Sequence, residues 1–226
     1  ALSALICAHP ALAQVDTIDD VIVTATRAPQ GVQQSHIAGS ATLITQTDFE
    51  DRQVRVVSDT LRDVPGVSVG RTGGPGAFTQ IRIRGAEANH TLVLIDGIEA
   101  GNPFAGEFDF GTLIADEAGR IEVLRGQQSA LYGSDAIGGV VHYITPTGRE
   151  LAGLRASVEG GSNDTLNGAV RYAGVSGDFD YALNAGFQTT DGYVVAPGGS
   201  QDVGATQRTV SAKLGYRLSD ALTLKA

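Results

Sequence analysis

The stretch GRIEVLRGQQSALYGSDAIGGVVHYIT, residues 119–145, decides the reading of the chain. Residues 121–124 and 140–144 are apolar-rich runs of β-branched and aromatic side chains, which fit a pleated, half-buried surface, so both are expected as strands. Between them, residues 127–132 can complete one helical turn. Gly133 is placed to end that turn in the left-handed conformation that costs glycine least. Gly138 and Gly139 then permit a close backbone approach before the second strand. The expected order is strand, one-turn helix, glycine hinge, strand.

Working upstream, residues 41–44 read as a strand and Asp48 as the cap of a short helical turn. Val57, Leu61 and Val64, at spacings of four and three, place one apolar stripe on a second helix that Pro65-Gly66 stops. Residues 67–69 form a short strand before the loop Arg71, Thr72, Gly73, Gly74, Pro75, Gly76, Ala77 and Phe78, which is too rich in glycine to serve as core. Residues 81–84 and 91–95 are strands again, the second continuous enough to be central. Asp96-Gly97 turns the chain into a further loop, residues 98–110, which holds Asn102, Pro103 and Phe104. These elements describe a compact mixed domain.

Downstream of Pro146 the hydrophobic period changes to two. Leu154, Ala156 and Val158 share one face, as do Leu166, Gly168, Val170 and Tyr172. The same holds for Phe179, Tyr181, Leu183, Ala185 and Phe187, and for Val210, Ala212, Leu214, Tyr216 and Leu218. A β-sandwich gives the same alternation. Strand lengths near the roughly 10 residues that cross a tilted bilayer, and connections that alternate between tight and long, favour a membrane barrel. The tight connections are at Val175 and Ser219, and the long one is the glycine-rich, polar stretch 189–207. Phe179 and Phe187 would stand about 19 Å apart along the membrane normal and suit the two aromatic girdles.

Composition agrees. The chain has 226 residues, 30 glycines and a formal charge of −9, with no basic stripe for nucleic acid. It has no apolar run long enough for a membrane-crossing helix, so any membrane would be crossed by strands. Residues 1–13 read as the tail of a secretory leader, with Ala11-Leu12-Ala13 as an A-x-A cleavage pattern and Gln14 as the first mature residue. Cys7, the one cysteine, falls in that leader. A mature chain without cysteine has neither disulfides nor thiolate metal sites. Cys7 as an acylated residue is the alternative, but Ile6 stands where a small residue is expected.

In Asp20, Val21, Ile22, Val23, Thr24 and Ala25, the β-branched run prefers an extended chain, either an ordinary edge strand or a segment that adds to a partner's sheet. There is no G-x-S-x-G elbow, and GSDAIGG lacks the lysine of a phosphate loop. His36, His90 and His142 are scattered and read as surface or hydrogen-bonded core histidines. Neither a catalytic constellation nor a bound cofactor or metal is expected.

Four blocks in order, VIVTATR, DVPGV, RIRG through LIDG, and VLRG through YGSDAIGGVV, resemble the TonB-dependent outer-membrane receptors of Gram-negative bacteria, most closely their cobalamin-receptor branch. The resemblance implies an α+β plug domain, a small mixed sheet with short helices, followed by the first antiparallel strands of a transmembrane β-barrel. On this division residues 14–39 carry the TonB box, 40–146 are the plug and 147–226 begin the barrel. The barrel of such receptors has about twenty-two strands, so a longer native protein is expected.

The resemblance further implies residue roles. Asp20, Val21, Ile22, Val23, Thr24 and Ala25 would bind TonB, coupled to its inner-membrane energising complex, from the periplasmic side of an outer membrane whose lipid surrounds the barrel. The apical loops, residues 71–78 with Asn102, Pro103 and Phe104, would bind the solute; mobile loops without a ligand are the plain alternative. Arg84 and Arg125, each ending a strand and followed by glycine, are either solvated strand ends or, as in the family, partners of barrel glutamates that lock the plug. The substrate implied is cobalamin. Only Asp191 and Asp202 fall in the loop after the third barrel strand, where the cobalamin branch carries several calcium-binding aspartates, and this departure keeps a ferric siderophore open. A structural or adhesive barrel without transport is the rival of another class.

Overall fold

The computed structural model describes residues 22–23, 32–33, 40–115, 119–219 and 222–225. The leader with Cys7, the TonB-box candidates Asp20, Val21, Thr24 and Ala25, and His36 lie outside the described residues. β1 (Ile22–Val23) and β2 (Val32–Gln33) pair antiparallel, with Ile22 opposite Gln33.

The mixed domain begins with β3 (Ser40–Thr45), which runs directly into α1 (Gln46–Arg52). Thr45, and not Asp48, is the N-cap. Its hydroxyl accepts from the Asp48 N–H, while the Asp48 carboxylate accepts from the Thr45 N–H at 2.7 Å, a reciprocal capping box. The expected role for Asp48 was therefore displaced by three residues, because threonine and aspartate at that spacing cap together. α2 (Val57–Leu61) buries Val57 and Leu61, and Val64 is buried in the turn that follows.

β4 (Val67–Arg71) and β5 (Thr79–Ile83) form a separate hairpin. Arg71, expected in the loop, is the last residue of β4. β6 (Thr91–Ile95) and β7 (Ile98–Glu99) are joined by Asp96 and Gly97, both at positive φ as a twisted two-residue hairpin turn requires. β8 (Arg120–Arg125), the one-turn α3 (Ser129–Tyr132) and β9 (Gly139–Ile144) realise the stretch that opened the sequence reading. Gly133 ends α3 at φ 86° and ψ −164°, outside the helical left-handed region expected for it. A Cβ at Gly139 would stand 2.3 Å from the Leu124 carbonyl oxygen, so the close approach expected there is real.

The main sheet has the order β3-β8-β9-β6-β7, with β6 parallel to β9 and the other pairs antiparallel. β9 is the central strand, and β6, expected at the centre, lies one place nearer the edge. One face presents Ile121, Val123, Val141, Tyr143 and Val93 to Phe49, Val57, Leu61, Ile81, Ile83 and Phe110. Each such side chain stabilises the fold by about 1.5–3 kcal/mol on full burial. The other face packs Leu92, Leu94, Leu124 and Val140 beneath Ala136 and the partly buried Tyr132. His142, read as a core or surface histidine, is buried here beside Glu122.

Beyond this domain, β10 (Gly153–Gly161), β11 (Thr165–Ser176), β12 (Phe179–Val194), β13 (Asp202–Ser219) and β14 (Leu222–Lys225) form an open antiparallel sheet in sequence order. Leu154, Val158, Val170, Tyr172, Leu183 and Val210 are exposed on its outer side. Asn167, Arg171, Ala182 and Asn184 are buried on its inner side, against the mixed domain. A sandwich would bury the apolar face, so this sheet is a barrel wall. β12 and β13 run 16 and 18 residues, and most of the stretch expected as a long loop is strand, with only residues 195–201 between them. A strand wet on both sides needs no apolar alternation, which is why its polar sequence read as loop.

Candidate functional site

The apical site is built where β4 ends and β5 begins. The Thr72 N–H donates to the Phe78 carbonyl at 3.0 Å and the Ala77 N–H to the Gly74 carbonyl at 3.2 Å, so the intervening residues fold into a compact double turn. Gly76 has φ 71°, and a Cβ there would lie 2.8 Å from Ala205 Cβ on β13. A Cβ at Gly74 would meet the Val203 carbonyl oxygen at 2.9 Å. The glycines therefore seat the loop against the wall, and Gly74 is buried rather than open to solvent. Phe78 remains exposed.

The second loop is tied to the first. Asp109 Oδ1 accepts from the Thr79 N–H at 2.9 Å, and Glu107 accepts from Gln80 Nε2 at 2.5 Å. The structure thus brings residues 71–78 and Asn102, Pro103 and Phe104 to one end of the domain, as expected. Phe104 is fully exposed. Asn102 Oδ1 accepts from the Phe104 and Ala105 N–H groups at 2.9 and 3.1 Å, so this side chain shapes the turn and offers chiefly its amide donors outward. Arg71 donates to Asp59 at 3.2 Å and is largely engaged in that pair.

Further along β13, Lys213 holds the base of the domain. Its Nζ donates to Asp96 Oδ1 at 2.8 Å and to the Thr145 carbonyl at 2.7 Å. The ten residue steps from Val203 to Lys213 span about 33 Å of extended strand, so one strand contacts both ends of the inner domain. Two more ion pairs cross the same boundary, Glu50 with Arg155 and Arg55 with Glu159. The sequence concealed these contacts because Glu50 and Arg155 are 105 residues apart. The signal available was the run of charged inward positions, Arg155, Glu159, Arg171 and Lys213, on a face that alternation had already separated from the apolar one.

Arg84 and Arg125 lie together at the edge of β3. Arg125 donates to the Pro65 carbonyl at 2.7 Å and to Thr42 Oγ1 at 3.1 Å, and Arg84 reaches Ser40 Oγ at 3.3 Å. Among the described residues neither forms an ion pair. Among the described residues, too, no group of acidic, histidine or cysteine side chains is arranged to hold a metal.

The family description "TonB-dependent Receptor Plug Domain" matches residues 33–140. Residues 33–140 are a TonB-dependent receptor plug domain. The whole chain resembles the vitamin B12 transporter BtuB of Vibrio vulnificus, at 34% identity over 219 residues, 94% of this chain and 35% of that protein. The chain thus spans about a third of the length of the curated relative it matches. The siderophore receptor PirA of Acinetobacter baumannii superposes with a TM-score of 0.62 at 26% identity, over 88% of this chain and 31% of that one. The ferric-catecholate import receptor Fiu of E. coli K12 has the same fold, with a TM-score of 0.69 at 23% identity over 88% of this chain and 27% of that one. The mixed domain is accordingly a plug, and the strand wall packed on it is the start of a barrel.

Proposed function

We propose that this chain is the N-terminal part of an outer-membrane receptor that takes up a scarce, large solute, cobalamin, with energy delivered by TonB. The observation that carries the reading is the seating of the plug. Its glycine loop rests on Val203 and Ala205, its base is held by Lys213, and the wall's apolar side chains point outward. A folded domain in that position blocks an opening too wide to leave unguarded, and the exposed Phe78 and Phe104 offer apolar area to a bulky ligand. The likeness to a vitamin B12 transporter supports cobalamin. The chain itself carries no catalytic step: solute binds at the apex, and the segment 20–25 passes the demand for opening to TonB by strand addition.

A ferric siderophore is the second reading, favoured by the siderophore receptors among the structural relatives and by the few oxygen ligands, Asp191 and Asp202, near the β12–β13 hairpin. The test is uptake of labelled cobalamin by cells carrying the full-length receptor, with and without TonB. TonB-dependent accumulation supports the proposal. No accumulation of cobalamin or of a ferric siderophore with TonB present, together with failure of the receptor to capture the periplasmic domain of TonB, would leave a structural barrel.

A further inference from the structure

The plug meets the wall differently along its two flanks. On the β13 side the fit is close: a Cβ at Gly74 or Gly76 would collide with Val203 or Ala205, and Lys213 ties the base. On the α1 side a cavity of about 380 Å³ separates the helix from the inner face of β10–β12. A second, of about 450 Å³, lies toward Pro146 and Glu150. Protein interiors pack as densely as organic crystals, so voids of this size along one flank mark the part of the interface that can open.

Gln46, Glu50, Arg155 and Arg171 border both cavities, so they stand where the two meet. Gln46 Nε2 donates to Glu50 Oε1 at 2.6 Å, and Glu50 pairs across the gap with Arg155, whose register partner Arg171 feels the same carboxylate. A second ion pair, Arg55 with Glu159, crosses beside the first cavity. The charges are reciprocal: the plug presents acid then base, Glu50 then Arg55, and β10 presents base then acid, Arg155 then Glu159. Residues 155 and 159 share one face because strand side chains repeat every two positions. A plug displaced along β10 from one charge to the next would set like charges together, so the pattern specifies a single seat. All four side chains are a quarter to a half exposed, and ion pairs so exposed are weak. Weak pairs suit surfaces that must separate and close again.

We propose that α1 and β10 form a reversible clasp whose opening joins the two cavities into one polar passage between plug and wall. Glu50 and Arg155 are its gate, Arg55 and Glu159 fix where it closes, and the β13 flank stays seated. Each cavity is the size of a pocket for one drug-sized ligand, roughly 300–1,000 Å³, so a larger solute passes only once they merge. The passage as a route for solute rests on the uptake reading above; the gate itself does not.

Conductance of the full-length receptor in planar bilayers, with potassium chloride as the probe, tests the gate. Arg155→Glu sets a like charge against Glu50 and should raise passive conductance about tenfold by enlarging the open population. Adding Glu50→Arg to that chain restores opposite charges and should return conductance to the wild-type level. Wild-type conductance in Arg155→Glu, or no recovery in the double variant, would overturn the gate. A tether reads the same gate without charge reversal: Glu50→Cys and Arg155→Cys, in a receptor free of other reactive cysteines, joined by a bis-methanethiosulfonate that reductant cleaves. The untethered pair should leak and the tether should seal it; equal conductance in both states would also overturn the gate. Uptake then tests the route. Tethered cells should lose TonB-dependent cobalamin uptake about tenfold or more while still binding it at the surface, as expected when a gating step is blocked. Reductant should restore uptake, and capping the same cysteines with methyl methanethiosulfonate should spare it. Undiminished uptake under the tether, or equal loss on capping, would overturn the route. Absence of uptake in the wild type would defeat the transport reading and leave the conductance to decide the gate.

Discussion

Lys213 on β13 donates to Asp96 in the β6–β7 turn at 2.8 Å, tying the base of the plug to the fourth strand of the barrel wall across 117 residues of sequence. The ammonium also donates to the Thr145 carbonyl, and Asp96 in turn accepts from the Thr145 N–H at 3.0 Å, so three residues close one polar ring. Both charged side chains are about three-quarters buried, at 22% and 28% exposure, so the pair is screened less than a surface bridge. Lys213→Ala in the full-length receptor should loosen the plug base by about 1–3 kcal/mol. Hydrogen exchange at the amides of Asp96 and Thr145 reads it: faster exchange there, with the β4–β5 hairpin unchanged, is the expected pattern. Uniform protection in the variant would contradict it.

The glycine loop is fitted to β13 by shape. Gly76→Ala adds a methyl at positive φ and 2.8 Å from Ala205 Cβ, and should cost about 1–3 kcal/mol. Gly70→Ala meets nothing within 4 Å and should be tolerated. Thermal unfolding of the two full-length variants makes the comparison; equal midpoints would mean that the loop does not rest on the wall.

Helix α1 carries Glu50 to the wall, so its capping matters beyond the helix. Burial alone raises the Asp48 carboxyl, but the hydroxyl and N–H of Thr45 and the charge of Arg52 outweigh it, and the net shift is downward. A lowered aspartate contributes stability that is present above its unfolded value and lost as pH falls through the native one. Asp48→Asn should therefore destabilise the plug by about 0.5–2 kcal/mol at neutral pH. Urea unfolding across pH should show the gap from wild type narrowing only in the acid range; a gap independent of pH would remove the carboxylate from the explanation.

Ile22 and Val23 are already extended and paired with Gln33 and Val32, the conformation that strand addition to TonB needs. Ile22→Pro removes a donor and fixes φ, so energised uptake should fail while solute still binds at the cell surface. Normal accumulation by Ile22→Pro cells would sink the assignment.

Arg84 and Arg125 use backbone and hydroxyl acceptors in this structure, which leaves donors free for barrel carboxylates. If they lock the plug, Arg84→Ala or Arg125→Ala in the full-length receptor costs about 3–5 kcal/mol and raises leakage of large antibiotics. Unchanged permeability in both variants would reject the lock.

Much of this molecule was legible in its sequence, for identifiable reasons. The strands of residues 119–145 carry β-branched runs buried on both sides, and the wall strands alternate because one face is apolar and exposed and the other meets the plug. Reading failed where a local rule met a tertiary demand. Thr45 took the cap that Asp48 alone had been given, since the capping box uses both. β9 took the centre of the sheet from β6 through a parallel pairing that no local pattern encodes. Of the candidate site, the apical loops were visible as glycine and aromatic clusters. The structural use of Asn102 and the partners of Arg155 and Lys213 were not, because they depend on chain segments brought together only by folding.

Binding of cobalamin at the apex of the plug is the central proposal for this chain, and equilibrium binding tests it most directly. Cobalamin and a panel of ferric siderophores should be titrated against full-length wild-type receptor, Phe78→Ala and Phe104→Ala. Tight binding of cobalamin, weakened by about 1–3 kcal/mol in each variant, is the result expected for truncating an apolar contact in a desolvated site. Tight binding of a siderophore in its place, or cobalamin affinity indifferent to both changes, would contradict it.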